Sequence, residues 1–182
     1  MQIETDKYYH IYNRSNNREI AYRSSENYNY FLGKYKKYVS PYVDTIAYCL
    51  MPTHFHFLVR VVTEEIDVLR NNIGVLLSSY TKAINKQYNR NGSLFQRHTK
   101  AVVVDDESYL LTLIMYIHQN PIRAGLIDYQ EDWKFSSYQD YSGLHQAGIV
   151  KKGLMMRYFN TSQVFNKFSE ELLNEVKKQY WV

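Results

Sequence analysis

Two short stretches bring together residue types that could do chemistry. His54-Phe55-His56 opens a run of β-forming residues that extends to Val62. Side chains in a strand alternate between faces, so both imidazoles emerge on one side while Phe55 and Phe57 go to the other. Two neutral imidazoles a few ångströms apart make half of a divalent-metal site and need one more ligand plus water or substrate. A pair of ordinary surface or core histidines has the same spacing. The second stretch is Tyr109 to Asn120, where Leu110, Leu113, Ile114 and Ile117 recur at helical spacing. Tyr116 and Asn120 stand four apart and stack on one side of that helix. If this helix lies beside the His54 strand, Asn120 could supply the third ligand and Tyr116 would lie next to the metal. Positive charge nearby lowers the cost of a phenolate, whose free pKa is about 10, so Tyr116 is a candidate nucleophile. With 19 tyrosines in the chain, a packing role with a satisfied hydroxyl is the plainer alternative. His118 lies about 200° round the helix from Tyr116, which predicts packing or hydrogen bonding away from the metal. His10, His98 and His145 receive no role.

These side chains need elements to position them. Tyr8 to Arg14 reads as a strand ending in a polar turn at Ser15 to Arg18. Tyr28, Phe31, Leu32 and Tyr35 give a helix over 26–39, closed by Pro41. Val43 to Met51 and His54 to Val62 are strands joined by Pro52-Thr53 into a hairpin. A helix covers 66–88, Thr99 to Val104 is a fourth strand, and Asp105 or Asp106 caps a last helix running to about Gln119, because Pro121 disfavours helical geometry at Asn120. The order β-α-β-β-α-β-α predicts an α+β, ferredoxin-like split β-α-β fold, with a four-stranded antiparallel sheet and helices on one face. We expect this domain to span residues 1–141. Residues 142–182 form a C-terminal extension, with an amphipathic helix from Ser162 to Tyr180 striped by Phe165, Phe168, Leu172 and Val176.

Composition narrows the class. A chain of 182 residues that is 45% hydrophobic can bury one core, and 16% aromatic content argues against disorder. The single cysteine, Cys49, excludes an intramolecular disulfide and suits a reducing cytoplasm. Neither a secretory signal nor a run of about 18 apolar residues is visible, which predicts a cytoplasmic protein without a membrane partner. Lys+Arg number 22 against 18 Asp+Glu, a net charge of +4. Arg70, Lys82, Lys86, Arg90, Arg97 and Lys100 fall between Val68 and Lys100 with no acidic residue among them. Such a segment among aromatics is a footprint for a phosphate backbone and splayed bases, although a solvated helix face would look alike.

The pairing of Met-Pro-Thr-His54-Phe-His56-Phe-Leu-Val with Tyr116-Ile-His-Gln-Asn120-Pro-Ile-Arg-Ala-Gly resembles the single-tyrosine HUH transposases, and within them the REP-associated tyrosine transposases. Tyr9-His-Ile-Tyr-Asn-Arg, Gly92-Ser-Leu-Phe-Gln and Trp133-Lys-Phe-Ser-Ser-Tyr extend the likeness over roughly residues 7–141. The resemblance implies a Mg²⁺ or Mn²⁺ ion bound by His54, His56 and Asn120, with Gln119 as fallback ligand should the helix end early, and Tyr116 as nucleophile. Attack by Tyr116 on a phosphodiester would displace a 3′-hydroxyl and leave a 5′-phosphotyrosine link. Reversal by another 3′-hydroxyl would rejoin strands without ATP, consistent with the lack of a P-loop pattern. The implied partner is single-stranded DNA with a hairpin beside the cleavage site. Charge and placement nominate Arg14, Arg18, Lys82, Lys86, Arg90, Arg97 and Arg123 for backbone contacts. Members of the wider family occur as monomers and as dimers sharing active sites, which leaves a homodimer open. Gly is common in the family where Ser15 stands here. A catalytically silent module binding single-stranded DNA or an RNA hairpin is the main alternative, and a replication-initiator or relaxase-type nickase the third. A pure binder would need neither the histidines nor Tyr116 and Asn120.

Overall fold

The structure, a computed structural model, describes residues 2–144 and 148–170. His145 and the Leu172 and Val176 positions of the expected terminal helix lie outside the described residues. Four strands, β1 (Tyr8–Arg14), β2 (Val43–Met51), β3 (His54–Val61) and β4 (Lys100–Val104), form one sheet in the order β2-β3-β1-β4, with every pairing antiparallel. Helices α1 (Ser25–Tyr38), α2 (Ile66–Gln87) and α3 (Glu107–Arg123) complete the split β-α-β order. Three shorter helices follow: α4 (Tyr138–Ser142), α5 (Met155–Tyr158) and α6 (Ser162–Ser169). The ferredoxin-like α+β fold read from the element order is therefore the fold of the chain.

Periodicity explains which faces are covered. In α1, Tyr28, Phe31 and Tyr35 recur at three- and four-residue steps; in α2, Leu69, Ile73, Leu76, Tyr80 and Ile84 do the same, and all are buried. Both stripes pack on Tyr9, Ile11, Phe55, Phe57, Val59 and Val61, the residues that β1 and β3 direct to that side. The crossover helices thus share one face as expected, and α3 covers the other. Leu110, Leu113, Ile114 and Ile117 of α3 cluster there with Cys49, Met51, Leu58 and Val104. A register shift between Thr45 and Ala47 lets Ile46 and Ala47 both join this second cluster.

The C-terminal segment is more than an appendage. Phe159 and Phe165 are buried in the α3 cluster, and Phe165 packs against His118, Tyr138 and Tyr141. Bridges from Val150 to Thr45 and from Ser136 to Cys49 also cover the outer edge of β2. Phe168, by contrast, is 36% exposed and touches Phe159. Ser15 adopts extended geometry (φ −66°, ψ 150°), so no glycine is required there. The positive φ angles fall at Asn17 (53°) and Arg18 (56°) instead.

Candidate active site

Strand β3 sends His54, His56 and Leu58 to the α3 side. Its register places His56 between Tyr12 of β1 and Cys49 of β2, deep under the helix, and His54 beside Arg14 at the strand's half-buried start. The two imidazole rings stand 5.1 Å apart at 83°, so they present adjacent edges to a common region. Tyr116 comes down from α3 with its ring 5.8 Å from that of His56, at 84°. One turn further along, Asn120 donates from Nδ2 to the Tyr116 carbonyl oxygen at 2.8 Å, which holds the carboxamide beside the phenol.

Helix α3 does not stop at Gln119. It runs through Pro121 to Arg123, because a proline in the last turn removes only one N–H and the chain closes beyond it. Ala124 N–H donates to the Asn120 carbonyl and Leu126 N–H to the Pro121 carbonyl, both at 3.0 Å. Gln119 consequently points elsewhere: it is fully buried and its Nε2 donates to the Ser169 carbonyl of α6 at 3.4 Å. The fallback ligand is thus turned into the packing layer, leaving Asn120 as the carboxamide next to Tyr116.

Electrostatics keep the imidazoles neutral. Burial lowers the pKa of His54 to about 4, helped by the positive charges of Arg14 and Arg18. Burial likewise holds His56 well below its ordinary value, with His10 and His54 adding to the effect. Tyr116 shows the opposite balance. Burial raises its pKa, while Arg123 and the Asn120 side chain pull it back. The expected lowering by positive charge is therefore present but outweighed by desolvation. The Nε2 of His56 is buried and has no hydrogen-bond partner, a cost of about 1–3 kcal/mol that a ligand would relieve. Among the described residues no three His, Cys, Asp or Glu side chains converge as a metal site. Neutral imidazoles, a bare buried ring nitrogen and an adjacent amide fit a divalent cation.

Comparison with known proteins finds similar sequences and folds. No family profile matches the chain. A Haemophilus influenzae protein named as a REP-associated tyrosine transposase is 28% identical over 120 residues, covering 60% of this chain and 68% of the relative. A solved structure of a REP-associated tyrosine transposase bound to a REP hairpin superposes with a TM-score of 0.63 at 14% identity, over 83% of this chain and 86% of that one. The chain is similar to the REP-associated tyrosine transposases in sequence and in fold. At 14% identity the structural likeness speaks for the shared fold alone.

In this chain the nominated cations separate into groups. Arg14 and Arg18 flank His54 closely enough to lower its pKa, and Arg123 lies 5.9 Å from the centroid of the Tyr116 ring. Lys82 and Arg97 line a groove of about 460 Å³ between α2 and residues 92–99. A neighbouring groove, sharing Gly74, Arg97 and Thr99 with the first, adds Arg70 and His98. One wall of this double groove is tied to the end of β1, since Gln96 N–H donates to the Arg14 carbonyl at 3.0 Å. Lys86 is exposed on α2 outside the groove lining. Arg90 is the exception: its guanidinium pairs with Glu19 at 2.9 Å and with the Asn85 side chain, and only 12% of its side chain is exposed. It ties the end of α2 to the β1–α1 loop, so a backbone contact would cost the fold an ion pair.

His118 faces away from His56, as its helical position requires. Its Nε2 and the Ser137 Oγ are 2.7 Å apart, and burial holds its pKa near 3. His10 had no role in the sequence, yet its Nε2 lies 2.8 Å from the Nδ1 of His56, with the rings parallel to within 7°. The available signal was the alternation Tyr8, His10, Tyr12, which sends His10 to the same face of the sheet. Only the β1–β3 register says what it meets there.

Proposed function

We propose that the protein is a metal-dependent single-stranded DNA endonuclease and strand-transferase, working at hairpin-bearing DNA through a 5′-phosphotyrosine intermediate. The observation that carries this reading is Tyr116 set edge-on against His56, whose buried Nε2 has no other partner. In this reading His54, His56 and Asn120 hold a Mg²⁺ or Mn²⁺ ion, which when bound polarises a scissile phosphate oxygen. Tyr116 Oη attacks phosphorus, the phenolic proton passes to solvent, and the 3′-oxygen leaves as a hydroxyl. Arg123 steadies the phenolate, offsetting the burial that raises its pKa. Asn120 fixes the phenol's backbone anchor, so that the attacking oxygen is held in place before substrate arrives. A second strand's 3′-hydroxyl can then reverse the step, retaining the bond energy of one phosphodiester in the next.

The transposase relative in Haemophilus influenzae and the hairpin-bound neighbour support DNA as substrate. So does the placement of Lys82 and Arg97 along the double groove, which suits a phosphate backbone, while Arg70 there pairs with Asp67 at 3.3 Å. Covalent trapping tests the reading. Hairpin oligonucleotides from repeats flanking the gene are incubated with Mg²⁺ or Mn²⁺, and with EDTA, using the native protein and Tyr116→Phe. A protein–DNA adduct that requires metal and disappears in Tyr116→Phe is expected. An adduct surviving in Tyr116→Phe removes this nucleophile. Metal-independent hairpin binding without any adduct points to the silent binding module.

A further inference from the structure

We infer that His10 is a positioning residue that holds His56 as the Nδ1–H tautomer and so keeps the Nε2 lone pair available as a metal ligand; the inference rests on the metal reading above. The argument begins with atoms. His10 Nε2 and His56 Nδ1 are 2.8 Å apart in a fully buried contact, and a hydrogen bond at that distance needs one proton between the two nitrogens. Both rings are fully buried, where a charged imidazole is strongly disfavoured, so each is neutral and has one N–H. Two arrangements satisfy these conditions. If His10 donates, His56 bears its proton on Nε2, the buried nitrogen without a partner, and cannot ligate through it. If His56 donates, its Nε2 presents a lone pair toward the region shared with His54 and Tyr116.

A neutral acceptor at His10 makes the second arrangement available without a buried charge. A carboxylate in its place, the commoner partner of a ligating histidine, would bring an unpaired negative charge into a fully buried position. His10 also fixes orientation. Its ring lies parallel to His56 at 5.0 Å between centroids, with Tyr12 on the same strand against it at 4.8 Å, which restricts rotation of His56 about its own side-chain bonds. The β1–β3 pairing therefore supplies the tautomer and the ring angle from a strand that contributes no proposed ligand of its own.

The first test needs no metal. Long-range ¹H–¹⁵N spectra of the whole protein at neutral pH should show His56 protonated on Nδ1. Protonation on Nε2 overturns the proposal, whatever the protein does with metal. The second test measures Mn²⁺ binding by EPR titration for the native chain, His10→Leu and His10→Gln, where the glutamine amide oxygen replaces the Nε2 acceptor. We expect His10→Leu to weaken binding about 10- to 100-fold and His10→Gln to recover most of the loss. Equal loss in both variants, or native affinity in His10→Leu, overturns the proposal. If His56 is the Nδ1–H tautomer but the native chain binds no Mn²⁺, the metal reading fails while the tautomer assignment stands. The spectra of the native protein decide the matter even if His10→Leu does not fold.

Discussion

The two faces of the sheet bury rings of different kinds. Under α1 and α2, Phe57 stacks on Tyr35 at 4.0 Å and 7°, while Phe31 meets Phe55 at 5.4 Å and Tyr80 edge-on at 5.1 Å. The Tyr35 hydroxyl there pairs with Thr45 at 2.7 Å and that of Tyr80 with the Ala21 carbonyl at 2.9 Å, while the buried Tyr22 hydroxyl has no partner. On the α3 face the same strand offers His54 and His56, and the buried Nε2 of His56 lacks a hydrogen bond, as does Nδ1 of His118 on α3 itself. A bare polar atom therefore does not by itself mark a site. What sets the His56 nitrogen apart is its neighbours, the His54 ring at 5.1 Å and the Tyr116 ring at 5.8 Å. One strand performs both tasks because its side chains alternate.

Mutations can break this comparison. The largest effect falls on chemistry: Tyr116→Phe should abolish the DNA adduct while shifting the urea midpoint very little, because only a hydroxyl is removed. Phe57→Ala should cost about 3–5 kcal/mol in urea unfolding, since it empties a fully enclosed aromatic site. The double variant His10→Leu/His56→Leu should lose Mn²⁺ binding yet unfold at equal or higher urea. Removing both partners of a buried polar contact leaves nothing unsatisfied, and a marked loss of stability would show that the α3 face is ordinary core after all.

A pH titration sharpens the contrast. The folded-state pKa values of His10 (about 3), His54 (about 4) and His118 (about 3) lie below the ordinary 6.5. Between those values the unfolded chain binds protons that the folded chain does not. Stability should therefore be flat above about pH 7 and fall as pH drops from about 6.5 toward 4. The double leucine variant should show a shallower fall, readable from urea midpoints across that range. The smallest effect is expected from Phe168→Asp. Its side chain is partly exposed, so stability should change by less than about 1 kcal/mol and Mn²⁺ binding should persist.

Much of this was legible in order along the chain. Strand and helix limits follow from local periodicity, and β1 and β2 match their expected bounds, because alternation and stop signals are properties of neighbouring residues. The end of α3 is not legible locally for a related reason. Pro121 is a strong local signal against a helix, but tertiary packing of Ile117 and Gln119 holds the last turn. The extension was underestimated because Phe165 looks like any amphipathic stripe until His118, Tyr138 and Tyr141 surround it.

By itself the sequence determined the element order, the shared face of His54 and His56, and the one-turn pairing of Tyr116 with Asn120. All of these depend on separations of a few residues and on backbone periods. Tertiary structure alone decided that α3 crosses to the face opposite α1 and α2, that Arg90 is tied to Glu19, and that His10 meets a histidine 46 positions away. Those outcomes depend on strand register and on which apolar surfaces cover each other, and both are set by the packing of the whole chain rather than by any local segment.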